Sequence, residues 1–379
     1  MPEQAVAVTE FNKVADNPLA WLKQWKETHG TMVIGCLPMY APEELIAAAG
    51  MLAIALPGTD KPIILGNAYL LTNLCHPMRG NFELALGGEL SFIDGLVFCD
   101  VCDQSKRLGS LWEIYHRPSF SFHLRLPKRL DTKEAKHFYK YELRRLRASL
   151  EKFVGHGISD EDLRKSIAVY NHSRGLLSRL YELRRKSPLS FQATEIDAIV
   201  TAAMVMPKEE FGQSLALYLD NKQITLAPQS QKARVLVCGN PCEDMEPKLL
   251  DMIAEVGGVI VDDYVYSGSM YLSRPVSEQG DPVDALAQAY IDSNPCPTKH
   301  NLNRNWGDYV VSMAKRAKVD GVIVLLPKYC EIYAFDYPDM REKLHQAGIP
   351  HIMLEVDHSG ADARLRTRLE AFMETLRIH

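Results

Sequence analysis

Residues 93–103, I-D-G-L-V-F-C-D-V-C-D, and residues 319–331, V-D-G-V-I-V-L-L-P-K-Y-C-E, follow one plan. Each runs Asp-Gly, then a short apolar stretch, then a cysteine just beyond it. A short apolar run behind a turn signal reads as a buried strand. A strand of this kind in each half of the chain makes the pair a weak internal repeat, and predicts two related α/β lobes. In open α/β sheets, sites form beyond the carboxyl ends of strands. Cys102 and Cys330 are expected at two such ends, one from each lobe.

The flanking sequence supports the plan. In the first part, 31–35 and 52–58 read as strands, with a helix over 42–51 that has Pro42 in its first turn. A helix is predicted near 76–90 and an alternating strand over 119–127. Residues 131–225 differ. They carry helical periodicity, with one helix ending at Gly155 and the next starting from a Ser159 N-cap with acidic residues in its first turn. From 233 the alternation resumes, with strands near 233–240, 258–265, 319–330 and 350–357. Helices are predicted between them, including 340–348, and a last helix closes the chain. Strand–helix alternation means parallel sheets covered on both faces. The expected fold class is α/β: two Rossmann-like or flavodoxin-like lobes, 1–130 and 231–379, joined by a helical segment, 131–230.

Composition narrows the function. The 379 residues are 46% hydrophobic and 24% charged, as in globular proteins, and the net charge of -5 argues against a nucleic-acid partner. No apolar run approaches the ~18–20 residues that span a bilayer. The polar, acidic start lacks the pattern of a signal peptide, so the cytoplasm is the expected location. Eight cysteines in such a chain read as thiols or metal ligands rather than disulfides.

Cys75, in N-L-C-H-P-M-R-G, joins Cys102 and Cys330 as a third scattered thiol. Thiolates are the soft ligands of iron–sulfur clusters, and three of them leave one iron without a cysteine. A zinc site on the same trio is the structural alternative. Cys36, in I-G-C-L-P-M-Y, falls at a strand end and is the candidate for a fourth ligand. Cys99 stands three residues before Cys102, and strand alternation puts the two on opposite faces. Cys238 reads as a buried apolar thiol, whereas Cys242 and Cys296 fall in loops and stay open. His76 is a weak catalytic candidate, to move a proton or donate to a cluster sulfide, or else a loop histidine. Arg79, Lys106 and Arg107 would offset cluster charge or face a partner, or simply be solvated. Lys299, His300 and Arg304 would meet phosphates or a partner, or form an exposed loop. Glu43 and Glu44 suit a helix first turn without any catalytic role. The stretch 237–241, V-C-G-N-P, lacks the glycine spacing of a phosphate loop.

The segments I-G-C-L-P-M-Y-A-P-E-E-L-I-A-A-A-G-M, D-G-L-V-F-C-D-V-C-D-Q-S-K-R-L and D-G-V-I-V-L-L-P-K-Y-C-E, with the Cys75 passage, resemble the 2-hydroxyacyl-CoA dehydratase / benzoyl-CoA reductase family. The likeness covers nearly the whole chain. It implies a heterodimer with a larger homologous subunit that binds substrate, each subunit carrying a [4Fe–4S] cluster on three cysteines, here Cys75, Cys102 and Cys330. It also implies an ATP-hydrolysing iron–sulfur activator that delivers single electrons at low potential. Around Cys75 and over 294–304 the chain looks more like the small subunit of the ATP-dependent aryl-CoA reductases, which dearomatise an aromatic acyl-CoA. The family's other chemistry is dehydration of a 2-hydroxyacyl-CoA through a ketyl radical. A non-catalytic zinc-binding α/β scaffold is the alternative from a different class.

Overall fold

The computed structural model describes residues 3–59, 61–224, 232–239, 242, 247–272, 275–357 and 363–377. Two helices, α1 (Glu3–Asp16) and α2 (Pro18–His29), precede the first sheet. The chain then runs β1 (Val33–Leu37), α3 (Glu43–Ala48), β2 (Leu52–Ala55), α4 (His76–Leu86), β3 (Gly95–Cys99), α5 (Asp103–Tyr115) and β4 (Phe120–Leu124). Four helices follow: α6 (Lys133–Val154), α7 (Asp160–Lys186), α8 (Ala193–Val205) and α9 (Lys208–Asn221). The second half is β5 (Ala233–Gly239), α10 (Pro247–Glu255), β6 (Gly258–Tyr264), α11 (Pro282–Ile291), α12 (Trp306–Ala317), β7 (Gly321–Pro327), α13 (Glu331–Gln346), β8 (His351–Val356) and α14 (Ala363–Arg377).

Both sheets have four strands, ordered β2-β1-β3-β4 and β6-β5-β7-β8, with every pairing parallel. Within its own sheet each order reads second, first, third, fourth. The expected α/β class with two related parallel sheets is therefore what the chain forms. In each sheet the order reverses between the first and third strands, which makes a crevice at their carboxyl ends. The central strands β1, β3 and β7 are buried along their whole length, and edge strand β4 alternates. Strands covered on both faces read as continuous apolar runs, while half-covered ones alternate.

The repeated Asp-Gly has a physical cause. Asp94 accepts from the Val33 N–H at 2.7 Å and from Lys26 Nζ at 2.6 Å. Asp320 likewise accepts from the Arg234 N–H at 2.7 Å. Each aspartate thus ties the start of the third strand to the first. Beside them the glycines leave room for packing: a Cβ at Gly95 would stand 2.6 Å from Phe120, and one at Gly321 2.8 Å from Phe372.

Helix α7 joins the halves. Its N-cap Ser159 forms a capping box with Asp162, as the sequence predicts. Its first half holds α3, with Ser166 Oγ donating to the Glu44 carbonyl at 2.7 Å and Arg174 paired to the Glu44 carboxylate at 2.5 Å. Its last turns hold β6, where buried Arg184 pairs with Asp263 at 2.6 Å.

Four details depart from expectation. Helices α1 and α2 went unread, although Asn17 caps α2 and Pro18 opens it. Helices α5 and α11 are also absent from the sequence reading. Helix α13 starts at Glu331, ahead of the expected 340–348, and passes through Pro338; burial of Tyr333, Met340 and Leu344 holds both sides of that proline in one helix. Finally, β3 ends at Cys99, so Cys102 is not on the strand at all. The turn between them, not strand alternation, separates the two thiols. The 230/231 lobe boundary, and Asn240 and Pro241 of the 237–241 stretch, lie outside the described residues.

Candidate functional site

Cys75, Cys102 and Cys330 share a local setting that spacing alone did not reveal. Each is the N-cap residue of a helix: α4, α5 and α13 respectively. A helix N-terminus presents unpaired N–H groups and positive potential, both of which favour an anionic thiolate. Cys102 stands in a capping box where serine or threonine is usual. Its Sγ accepts from the Ser105 N–H at 3.3 Å, while Ser105 Oγ accepts from the Cys102 N–H at 3.1 Å.

All three line one cavity of about 460 Å³ between the carboxyl ends of the two sheets. Gln104 stitches its wall. Its Oε1 accepts from the Cys75 N–H at 3.0 Å, and its Nε2 donates to the Tyr329 carbonyl at 3.2 Å. One amide thus links the Cys75, Cys102 and Cys330 loops. The Cys330 turn closes with its N–H bonded to the Pro327 carbonyl at 2.9 Å, and Tyr329 inside it has φ 66. A non-glycine residue in that region is uncommon and marks a constrained turn. Burial pushes the Cys330 thiol up to about 11, against the opposing pull of the Tyr333 N–H.

A fourth thiol lines the same cavity. Cys242 lies just past β5, and burial followed by the charges of Cys102, Cys330 and Cys75 raises it well above the usual thiol value. Cys36 is elsewhere. It is buried on β1, where burial, then Glu43 and Cys99, raise it. Cys99 and Cys238 are fully buried at strand ends, and Cys296 is buried with its Sγ 3.2 Å from Tyr333 Oη and 3.3 Å from Thr298 Oγ1.

The other candidates divide. His76 is the first residue of α4 and lines a separate depression with Arg79, Lys328 and Tyr329. Arg79 is tied to Asn67 at 2.6 Å, and Lys106 and Arg107 are exposed. Lys299 and His300 do line the cysteine cavity. Lys299 is buried, bonded to Ser293, with its Nζ 4.4 Å from the Tyr40 ring centroid. Arg304 donates to the Asp292 carbonyl at 3.1 Å. Glu43 and Glu44 carry more than a helix dipole: Glu43 accepts from Tyr271 Oη at 2.8 Å and sits 3.4 Å from Lys208, deep in the protein. Lys128, unremarked in the sequence, lines the cavity and donates to the Asp100 carbonyl. Burial lowers its pKa, while Asp100, Cys102 and Cys99 act to raise it.

Among the described residues no group of three or more His, Cys, Asp or Glu is placed to hold a single metal ion. The cysteines stand round a cavity rather than round a point.

Residues 38–376 match the family model of the 2-hydroxyglutaryl-CoA dehydratase D-component. The chain belongs to that family. This D-component-family chain is 28% identical to the (R)-phenyllactyl-CoA dehydratase beta subunit of Clostridium sporogenes, covering 97% of itself and 98% of the relative. It is 28% identical to one of the subunits of benzoyl-CoA reductase from Thauera aromatica, covering 94% of each. It is 25% identical to the beta subunit of (R)-2-hydroxyglutaryl-CoA dehydratase from Acidaminococcus fermentans, over 97% and 98%. Every one of these names designates a subunit of an acyl-CoA enzyme, so the family member described here is an enzyme subunit. No described helix is long and apolar enough to cross a membrane.

Proposed function

We propose that this chain is the [4Fe–4S] subunit of an ATP-dependent aryl-CoA reductase, passing low-potential electrons toward an aromatic acyl-CoA held by a larger homologous subunit. The observation that carries the reading is the ring of N-cap cysteines: Cys75, Cys102 and Cys330 from both halves of the chain on one cavity. The donor set fits the group. Soft thiols are what iron requires, and three helix N-termini and the Ser105 N–H favour their charge.

When bound, the cluster supplies one-electron chemistry at low potential. The chain supplies the rest. Gln104 keeps the three loops in register, and Lys128 brings a cation to the same cavity. His300 at the same cavity would meet an anionic group or the partner surface, whereas the Lys299 ammonium is held inward by Ser293. An ATP-hydrolysing iron–sulfur activator would feed the pair, in the cytoplasm.

A second reading is the small subunit of a 2-hydroxyacyl-CoA dehydratase. Equal identity to the phenyllactyl-CoA dehydratase and benzoyl-CoA reductase subunits favours it as much. The test is an anoxic assay of the chain with its partner subunit and activator on benzoyl-CoA and on phenyllactyl-CoA. Ring reduction that consumes two electrons per product supports the reductase. Water loss with electrons needed only in catalytic amount gives the dehydratase, and no turnover of either rejects both.

A further inference from the structure

Cys242 is the cavity thiol that neither the sequence nor the family reading assigns. It follows β5, the first strand of the second sheet, and Cys330 follows β7, the third. Those strands flank the switch point of their sheet, so their ends face one crevice. Gly239 brings them together. It has φ 106, and a Cβ there would stand 2.0 Å from the Leu325 carbonyl oxygen. Only glycine allows β5 to pass β7 that closely at its carboxyl end. Cys242 then lines the wall with Cys75, Cys102 and Cys330. The remaining four cysteines do not line this cavity.

We infer that Cys242 is the fourth cysteine ligand of this subunit's cluster, so that all four irons carry a protein thiolate. The inference rests on the proposed cluster and sharpens its role. A saturated cluster leaves no iron for a substrate oxygen. One electron arrives from the reduced activator and one leaves for the partner subunit, with no bond made or broken in this chain. The acyl-CoA is then bound and reduced wholly on the partner.

The test uses the complete complex purified without oxygen, enriched in ⁵⁷Fe, as wild type and as Cys242→Ala. The Mössbauer difference spectrum removes the partner's iron. The expected difference is one iron per complex moving from four-sulfur to mixed oxygen or nitrogen ligation. Mild oxidation should then convert the Cys242→Ala cluster, but not the wild-type one, to a three-iron species seen by EPR. Cys238→Ala should match wild type in both. A Cys242→Ala spectrum indistinguishable from wild type overturns the fourth ligand while leaving the cluster. A wild-type complex whose iron and labile sulfide account for the partner alone overturns the cluster reading, and this inference with it.

Discussion

At the scale of single residues, the site is a charge problem. Gathered thiolates repel further electrons, and each nearby cation eases reduction. Lys128 lines the cavity, donates to the Asp100 carbonyl, and feels the negative charge of Asp100 first and of Cys102 and Cys99 after it. A unit charge a few ångströms away, at an effective dielectric near 20, is worth roughly 2–4 kcal/mol. Lys128→Met should therefore lower the midpoint potential of the proposed cluster by on the order of 100 mV for one electron. An EPR-monitored redox titration of the anoxic complex checks it, and an unchanged or raised potential would remove Lys128 from the site. Gln104 acts differently, through two hydrogen bonds to separate loops. Gln104→Ala loses both, each worth about 1 kcal/mol. The expected result is a lower iron content per complex with a nearly unshifted potential in the clusters that remain. Sequence reading found Cys102 and Cys330 because a cysteine beyond a strand end is a local pattern. It missed Lys128 and the role of Gln104, because both depend on partners whose distance along the chain carries no local signal. It placed Cys36 near the cleft because Cys36 does end a strand, but its side chain is buried among Glu43, Cys99 and Lys208.

At the scale of elements, three helix starts and one turn do the positioning. The Pro327–Cys330 turn holds Tyr329 at φ 66 with its ring half exposed, so the ring adds little packing. Backbone geometry is then the main demand at that position. Tyr329→Gly should stay within about 1 kcal/mol of wild type, since relief in the folded state is offset by a freer unfolded chain. Tyr329→Val forces a β-branched residue into the left-handed region and should cost roughly 1–2 kcal/mol. It should also displace Cys330 and lower iron occupancy. Iron content and denaturant midpoints of the two variants separate these outcomes; equal behaviour would mean the turn does not set the cysteine. The helical character of α4 and of the second half of α13 was legible, but α5 was not read, and neither was the fact that all three helices are capped by the cysteines. Cysteine is an unusual cap, and α13 continues through Pro338, where a proline normally ends a helix.

At the scale of the whole molecule, a cavity built from two sheets requires the sheets to hold still relative to each other. Helix α7 spans both, tied to α3 by Glu44 and to β6 by Asp263. Asp263 is satisfied from several sides: Arg184 Nη1 at 2.6 Å, Tyr181 Oη at 2.9 Å and the Ser269 N–H at 2.8 Å. Arg184 also donates to the Ile260 carbonyl at 3.1 Å. The two-sheet plan was readable from the repeated Asp-Gly strands, whereas this strut was not, because its ion pair joins residues that no periodicity connects. Removing one partner of a buried pair leaves a charge without compensation and costs about 3–5 kcal/mol. Arg184→Leu should destabilise the chain by that much in anoxic denaturant unfolding. Replacing both, Arg184→Leu with Asp263→Leu, should recover a large part, because two apolar groups need no pairing. Asp262 lies alongside, its carboxyl raised by burial and by Asp263. A carboxyl whose folded value lies above its unfolded one stabilises most below the unfolded value, and that contribution fades as pH rises through the folded value. Asp262→Asn should therefore flatten the fall in stability as pH rises above the ordinary aspartate value of about 4. If the strut sets the cavity, Arg184→Leu should lose iron at denaturant concentrations where α-helical signal is still intact, and the double variant should not. Loss of iron and helix together in both proteins would instead make α7 a contributor to global stability alone.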